Sequence, residues 1–276
     1  MIARTIRGGR FLLLTVALLA LSGCSRGATN PVPLEWTLVW EDEFDGPAGQ
    51  LPSAANWRFD LGTNWGNDQL EYDTDRPENA SLDGAGNLTI IARKETWFDQ
   101  EYTSARITTR ALFEQAGGKF EARIKLPVGQ GMWPAFWLLG GNNETVGWPN
   151  CGEIDIMENR GQEPSVILGS AHGPGYSAGN AISTRYTLAG AGFNDDFHVF
   201  GVEWSESRIT WLVDGVPYRT ITPASLPRGG TWVFDHPFYI ILNVAVGGNF
   251  VGPPDDSTIF PQTMLVDWVR VYRDQP

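Results

Sequence analysis

The densest chemistry in the chain lies in Gly152-Glu-Ile-Asp-Ile-Met-Glu158. On an extended strand side chains alternate, so Glu153 and Asp155 share one face while Ile154 and Ile156 point the other way. Strict alternation would then turn Glu158 toward the apolar side, where a lone carboxylate is strongly disfavoured. One extra residue at Ile156-Met157, a β-bulge, returns Glu158 to the acidic face. Three carboxyls on one face cannot all ionise cheaply, because like charges a few ångströms apart push at least one pKa up. Cleavage of a glycosidic bond with retention needs this mixture: one ionised carboxylate and one protonated carboxyl, about 5–5.5 Å apart. Across the bulge Glu153 and Glu158 are about 13 Å apart along the strand, so their side chains must lean together over Asp155. A solvated acidic strand and a calcium cluster are the other readings of three such acids. The isoleucines between them favour a central strand whose acidic face has a purpose.

The elements that must position these acids are strands. From about Trp36 onward, residues 87–93, 118–125, 198–204, 208–213 and 264–272 are alternating or continuous runs of β type, with almost no helical periodicity. Asp-Gly steps at Asp83-Gly84 and Asp214-Gly215 supply hairpin turns, the second in the stronger context, Val213-Asp-Gly-Val216. With 276 residues, 42% of them hydrophobic, the chain can bury a sizeable core, and 32 Gly and 18 Pro punctuate short strands rather than long helices. The expectation is all-β: one curved antiparallel β-sandwich of jelly-roll type, residues 36–276, with a concave substrate cleft. A balance of 20 basic to 32 acidic residues, net charge -12, excludes phosphate-backbone binding by counterion release, so no nucleic-acid partner is expected. The 12 Trp suit a flat, partly apolar ligand.

The N-terminus reads as an export signal over residues 1–23, with Arg4, Arg7 and Arg10 ahead of an apolar stretch, residues 11–21, too short for a permanent span. Leu21-Ser22-Gly23-Cys24 is similar to a bacterial lipoprotein cleavage box. Cys24 is then the lipidation site, residues 24–35 a tether, and the membrane is met only through that lipid. An ordinary signal peptide is the alternative. Cys151 is the other cysteine, so the lipidated form has no disulfide, and a Cys24–Cys151 bridge is the competing reading.

The acidic strand resembles the signature of glycoside hydrolase family 16, in the bulged form found in its laminarinases, agarases and carrageenases. The likeness runs from Trp40-Glu-Asp-Glu-Phe-Asp45 to Val266-Asp-Trp-Val-Arg-Val-Tyr272. It implies Glu153 as nucleophile, Glu158 as acid/base and Asp155 as the helper between them. Met132-Trp-Pro-Ala-Phe-Trp-Leu138 is similar to a laminarinase block whose tryptophans line the sugar groove. Trp133 and Trp137, four apart on a strand, would share its face. Asn64-Trp-Gly-Asn67 and Tyr102-Thr-Ser-Ala-Arg106 resemble further blocks, implying that Asn67 and Arg106 bind sugar hydroxyls. His172 matches a cleft position, whereas His198 and His236 read as structural. Asp267, with backbone oxygens near Glu43 and Gly86, resembles a structural calcium site on the convex face; Asp267 accepting only backbone hydrogen bonds is the equal alternative.

The expectation for function is a retaining, monomeric endo-hydrolase of β-1,3-glucan that needs no catalytic cofactor, with mixed-linkage glucan an open second substrate. An agarase or carrageenase on the same scaffold would call for more basic cleft residues, and a non-catalytic β-glucan-binding module would lack a catalytic glutamate. Gly175-Tyr-Ser-Ala-Gly179 fits an esterase nucleophile pattern, but no helical stripe follows it.

Overall fold

Two of the runs read as strands have the bounds expected, Gly118–Lys125 and Arg208–Val213; others extend by a few residues, as in Leu88–Trp97 and Gln262–Asp274. The computed structural model describes residues 35–275. The export segment, Cys24 and the tether up to residue 34 lie outside these residues. Residues Leu34–Pro276 form one unit. Between Arg208–Val213 and Val216–Ile221, Asp214 and Gly215 take φ values of 50° and 73°, the left-handed pair that a two-residue hairpin turn requires. The Asp83-Gly84 step is part of a longer turn instead: Asp83 Oδ1 accepts the amides of Ala85 and Asn87 before the chain re-enters as Leu88–Trp97.

The strands form two sheets. The seven-stranded sheet runs in the order Ile182–Thr187, Val166–His172, Glu153–Asn159, Met132–Gly140, Phe238–Val246, Arg106–Thr108, Arg58–Asp60, every neighbour antiparallel. The acidic strand is therefore internal. The ten-stranded sheet includes Gly118–Lys125, His198–Ser205, Gln262–Asp274 and, at one end, Glu71–Asp73. Glu71–Asp73 pairs in parallel with Gln100–Ser104, which departs from the purely antiparallel expectation. Strands distant in sequence lie side by side, as Gly118–Lys125 does between His198–Ser205 and Gln262–Asp274, and the architecture is a β-sandwich of jelly-roll type.

The core fills the space between the sheets: Ile154, Phe136, Leu138 and Leu242 from one, Phe120, Phe200, Trp211 and Val269 from the other. Non-directional burial of these side chains supplies most of the stabilisation. The outer face of the seven-stranded sheet is not simply polar. Leu139, Cys151, Tyr239 and Ile241 pack with Trp137 in one small cluster there, and Trp133, Ala245 and Val251 pack with Phe250 in another. Apolar pads thus flank the acidic row. Among the described residues the one α-helix is a single turn, Asn143–Val146.

Candidate active site

The predicted bulge is present. Against Met132–Gly140, Asp155 pairs with Trp137 and Met157 with Phe136, so Ile156 is the extra residue. Ile154, Ile156 and Met157 all enter the core while Glu153, Asp155 and Glu158 face outward. A bulge interrupts the ladder and leaves a backbone group to be satisfied elsewhere. Here Trp211, from the opposite sheet, donates its Nε1–H to the Asp155 carbonyl at 2.8 Å. Gly169 on the neighbouring strand makes that approach possible, since a Cβ there would lie 2.6 Å from Trp211 Cδ1.

The three carboxyls have neutral or imidazole partners. Trp148 Nε1 donates to Glu153 Oε2 at 3.1 Å, and Trp133 Nε1 donates to Glu158 Oε1 at 3.0 Å. His172 Nδ1 accepts the Ala178 amide at 3.2 Å, so its ring hydrogen sits on Nε2, facing the acids. That Nε2 is 2.9 Å from Asp155 Oδ2 and 3.5 Å from Glu153 Oε1. The first contact is close but out of line, because the buried Asp155 Oδ2 has no aligned hydrogen bond. Burial raises all three acids to about 8. For Glu153 and Glu158 the Asp155 charge adds to the rise, and His172 opposes it. The group can therefore hold protons at neutral pH and titrates as a unit.

The groove tryptophans share a face as expected, but they are not open platforms. Trp133 is only 9% exposed, its ring 4.9 Å from Phe250 and its N–H spent on Glu158. Trp137 donates to Asn243 Oδ1 at 2.8 Å, and the Arg106 guanidinium lies 4.8 Å from its ring centroid. Arg106 is equally close, 4.8 Å, to Trp65, and its Nε meets Asp60 at 3.1 Å. Asp60, Trp65 and Arg106 wall a cavity of about 490 Å³ that also touches Phe59, Leu139 and Tyr239 but neither Trp133 nor Trp137. Asn67 does not line it; its exposed backbone turns at φ 57° and its carbonyl accepts the Asn249 amide at 2.7 Å. The exposed indole is Trp148, 45% exposed and 6.0 Å from the His172 ring.

Sequence reasoning assigned no role to Trp148, Trp65 or Asn243. Trp65 lay inside a block already noticed, Asn64–Asn67; the signal for Trp148 was its place in Gly147-Trp148-Pro149, just ahead of the acidic strand, and Asn243 sits in an apolar strand and gave none. His198 opens the strand His198–Ser205 beside Asp214, and His236 lies in the bend before Phe238–Val246 beside Asp235. The Gly175–Gly179 segment leads into a single 3-10 turn and a further strand, not a helix. Cys151 is buried, its Sγ donating to Asn143 Oδ1 at 3.2 Å.

On the other sheet, Asp267 is paired with Arg123, and Glu43 is held by Arg270 through two hydrogen bonds of 2.7 and 2.9 Å. A carboxylate already neutralised by a guanidinium is a poor anchor for calcium, which seeks several oxygens and uncompensated charge. The Asp267 carboxylate as it stands therefore fits the ion poorly, while the pairing of the Glu43 side chain leaves the expected backbone oxygens near Glu43 and Gly86 untouched; no step below depends on the ion.

Residues 60–270 match the family described as "Glycosyl hydrolases family 16". A β-glucanase of Rhodothermus marinus is 39% identical, with 98% of this chain and 96% of that protein covered. A glucan endo-1,3-β-glucosidase of Cryptopygus antarcticus is 43% identical over 85% of this chain and 91% of that one. The laminarinase catalytic domain from Thermotoga maritima superposes with a TM-score of 0.83 at 48% identity, covering 88% of this chain and 100% of its own. The matched span contains the acidic strand, and on these likenesses the chain belongs to glycosyl hydrolase family 16.

Proposed function

We propose that the protein is a retaining endo-β-1,3-glucanase. The observation that carries this reading is the bulged strand: it displays Glu153 and Glu158 on one outer face, each tethered by an indole N–H. Glu153 attacks the anomeric carbon as the glycosidic C–O bond breaks, and Glu158 gives its proton to the departing oxygen. Glu158, now a carboxylate, takes a proton from water, whose oxygen displaces Glu153 and restores the original configuration. Asp155 lies between them, and burial raises it to about 8 like its neighbours, so the three acids share protons near neutral pH and Glu153 can carry the charge while the others stay neutral. The His172 Nε2–H and the Trp148 N–H both face Glu153, steadying the charge it carries at the start of each cycle.

The apolar pads around Trp133 and Trp137 and the cavity beside Arg106 suit the alternating apolar and hydroxyl faces of a glucan. The names of the relatives support laminarin-like chains over galactans. The Cys24 box supports export and lipid tethering, which the mass of the mature N-terminus would test. For the activity, purified protein is assayed side by side on laminarin, lichenan, agarose and carrageenan. Laminarin cleavage with a β-anomer as first product is expected; an α first product, or preference for agarose or carrageenan, overturns the reading.

A further inference from the structure

The hairpin joining Leu88–Trp97 to Gln100–Ser104 departs from the turn rule that Asp214-Gly215 obeys. Trp97 and Gln100 are its closing pair, so the turn residues are Phe98 and Asp99, and Phe98 stands at φ 53°. A left-handed first residue in a two-residue hairpin favours Gly or Asn, because a Cβ is crowded there; an aromatic residue at that place is strained. Phe98 is 76% exposed, so burial within the fold does not offset the strain. A ring held in a strained turn and left in solvent points to a contact made outside the fold.

Two further rings stand beside it. Tyr72, from Glu71–Asp73, lies 5.1 Å from Phe98, and Trp97 lies 5.9 Å away at 88°. The Arg76 guanidinium backs the Trp97 ring at 4.1 Å and is itself fixed by Glu95 and, at 2.8 Å, by Asn79 Oδ1. Tyr72 and Trp97 are half-buried, so the array is braced from beneath and has little side-chain freedom left to lose on binding. Side chains alternate along Glu71–Asp73, and Glu71 Oε2 accepts the Val246 amide of the seven-stranded sheet at 2.8 Å. Tyr72 and the rings beside it therefore turn away from that sheet and from its acidic strand.

The surroundings select the occupant. Arg76 and Arg93 are both turned to Glu95, the exposed cation Lys94 lies four residues before Phe98, and Asp99, Gln100 and Glu101 follow the ring directly. Exposed acids beside the rings, on a protein of net charge -12, repel anionic lipid headgroups, nucleic acid and a second copy of the chain. A neutral sugar chain suits both features: its apolar C–H faces stack on aromatic rings, and its hydroxyls donate to carboxylate and amide oxygens. We propose that Tyr72, Trp97 and Phe98 form a second carbohydrate site, turned away from the catalytic strand, that holds a neutral β-glucan chain and keeps the enzyme on insoluble polymer. The proposal rests on the glucanase reading for the identity of the polymer, but none of its residues belongs to the catalytic cleft.

The test compares wild type, Phe98→Gly, Tyr72→Ala and, as a control on an exposed residue at the far end of the same sheet, Val216→Ser. Each is measured for co-sedimentation with insoluble β-1,3-glucan particles, for hydrolysis of those particles and of a soluble β-1,3-gluco-oligosaccharide, and for Tm. Phe98→Gly and Tyr72→Ala should weaken both retention on the particles and their hydrolysis about three- to tenfold, the range of one lost aromatic contact, with turnover of the oligosaccharide unchanged. Because Gly adopts φ 53° without strain, Phe98→Gly should not lower Tm. Val216→Ser should match wild type throughout. Three results overturn the second site: particle retention in Phe98→Gly equal to wild type, an equal loss on soluble and insoluble substrate, or Phe98-dependent retention on phosphatidylglycerol vesicles in place of glucan. Tyr72→Ala decides the matter if the Gly variant does not fold. Phe98-dependent retention on the particles with no hydrolysis of either substrate would sink the glucanase reading alone.

Discussion

Two sets of acids, one associated with each sheet, are held in opposite ways. Glu43 and Asp267, associated with the ten-stranded sheet, each face a guanidinium, Arg270 and Arg123. Glu153, Asp155 and Glu158, on the seven-stranded sheet, have no Arg or Lys in ion-pair reach among the described residues, only indole N–H groups and His172. A guanidinium fixes both the position and the charge of a carboxylate. An indole N–H fixes position while leaving the charge free to change, and burial then raises the pKa. The first arrangement stabilises a surface, and the second makes a proton donor available near neutral pH.

The largest effect that can break this contrast is on turnover. Glu153→Gln and Glu158→Gln should each lower laminarin hydrolysis by about 10²–10⁴-fold or more with the fold intact by circular dichroism. Near wild-type turnover in either variant would remove the site from this strand.

The same contrast predicts an unusual pH dependence of stability. A carboxyl whose folded pKa is raised contributes stability that is complete below its ordinary pKa and is lost as pH climbs through the folded value. With ordinary values near 4 and folded values of about 8, the catalytic acids should cost wild-type stability steadily between these limits. Thermal melts should therefore show wild-type Tm falling from about pH 5 to about pH 8, and Glu158→Gln, which cannot ionise, should melt a few degrees higher than wild type at the upper end. Equal pH slopes in the two proteins would mean that Glu158 is not held protonated.

A smaller effect tests the scaffold under the acids. Trp211→Phe keeps the ring but removes the hydrogen bond to the Asp155 carbonyl, leaving a buried acceptor unpaired at a cost of about 1–3 kcal/mol. Denaturant unfolding should show that loss, and kcat should fall with it as the bulge relaxes; a stable variant with full activity would show that the bulge holds itself. The smallest effect belongs to the other sheet. Arg123→Ala, at a partly exposed pair, should cost about 1 kcal/mol or less and leave kcat unchanged. A large loss there would restore a special role to Asp267.

The bulge was legible because residue types forced it: Ile, Ile and Met demand one face and three acids the other, and only an added residue satisfies both. The shared face of Trp133 and Trp137 followed from period two. What those rings do did not, because Trp133 meets Glu158 25 positions away and Trp137 meets Asn243 106 positions away. Trp148 was given no role, since a loop residue's direction is set by what it packs against. Arg106 was placed in the groove as a hydroxyl donor; that its guanidinium lies between two indoles was not legible.

By itself the sequence determined the all-β class and the acidic strand with its bulge, both of which depend on local alternation and on side-chain type. The tertiary structure decided which groups hold the acids without fixing their charge, that Trp211 from the opposite sheet caps the bulge, and that Arg106 lies on Asp60 between Trp65 and Trp137. Burial and long-range contact set those electrostatics, and neither is a property of any short stretch of chain.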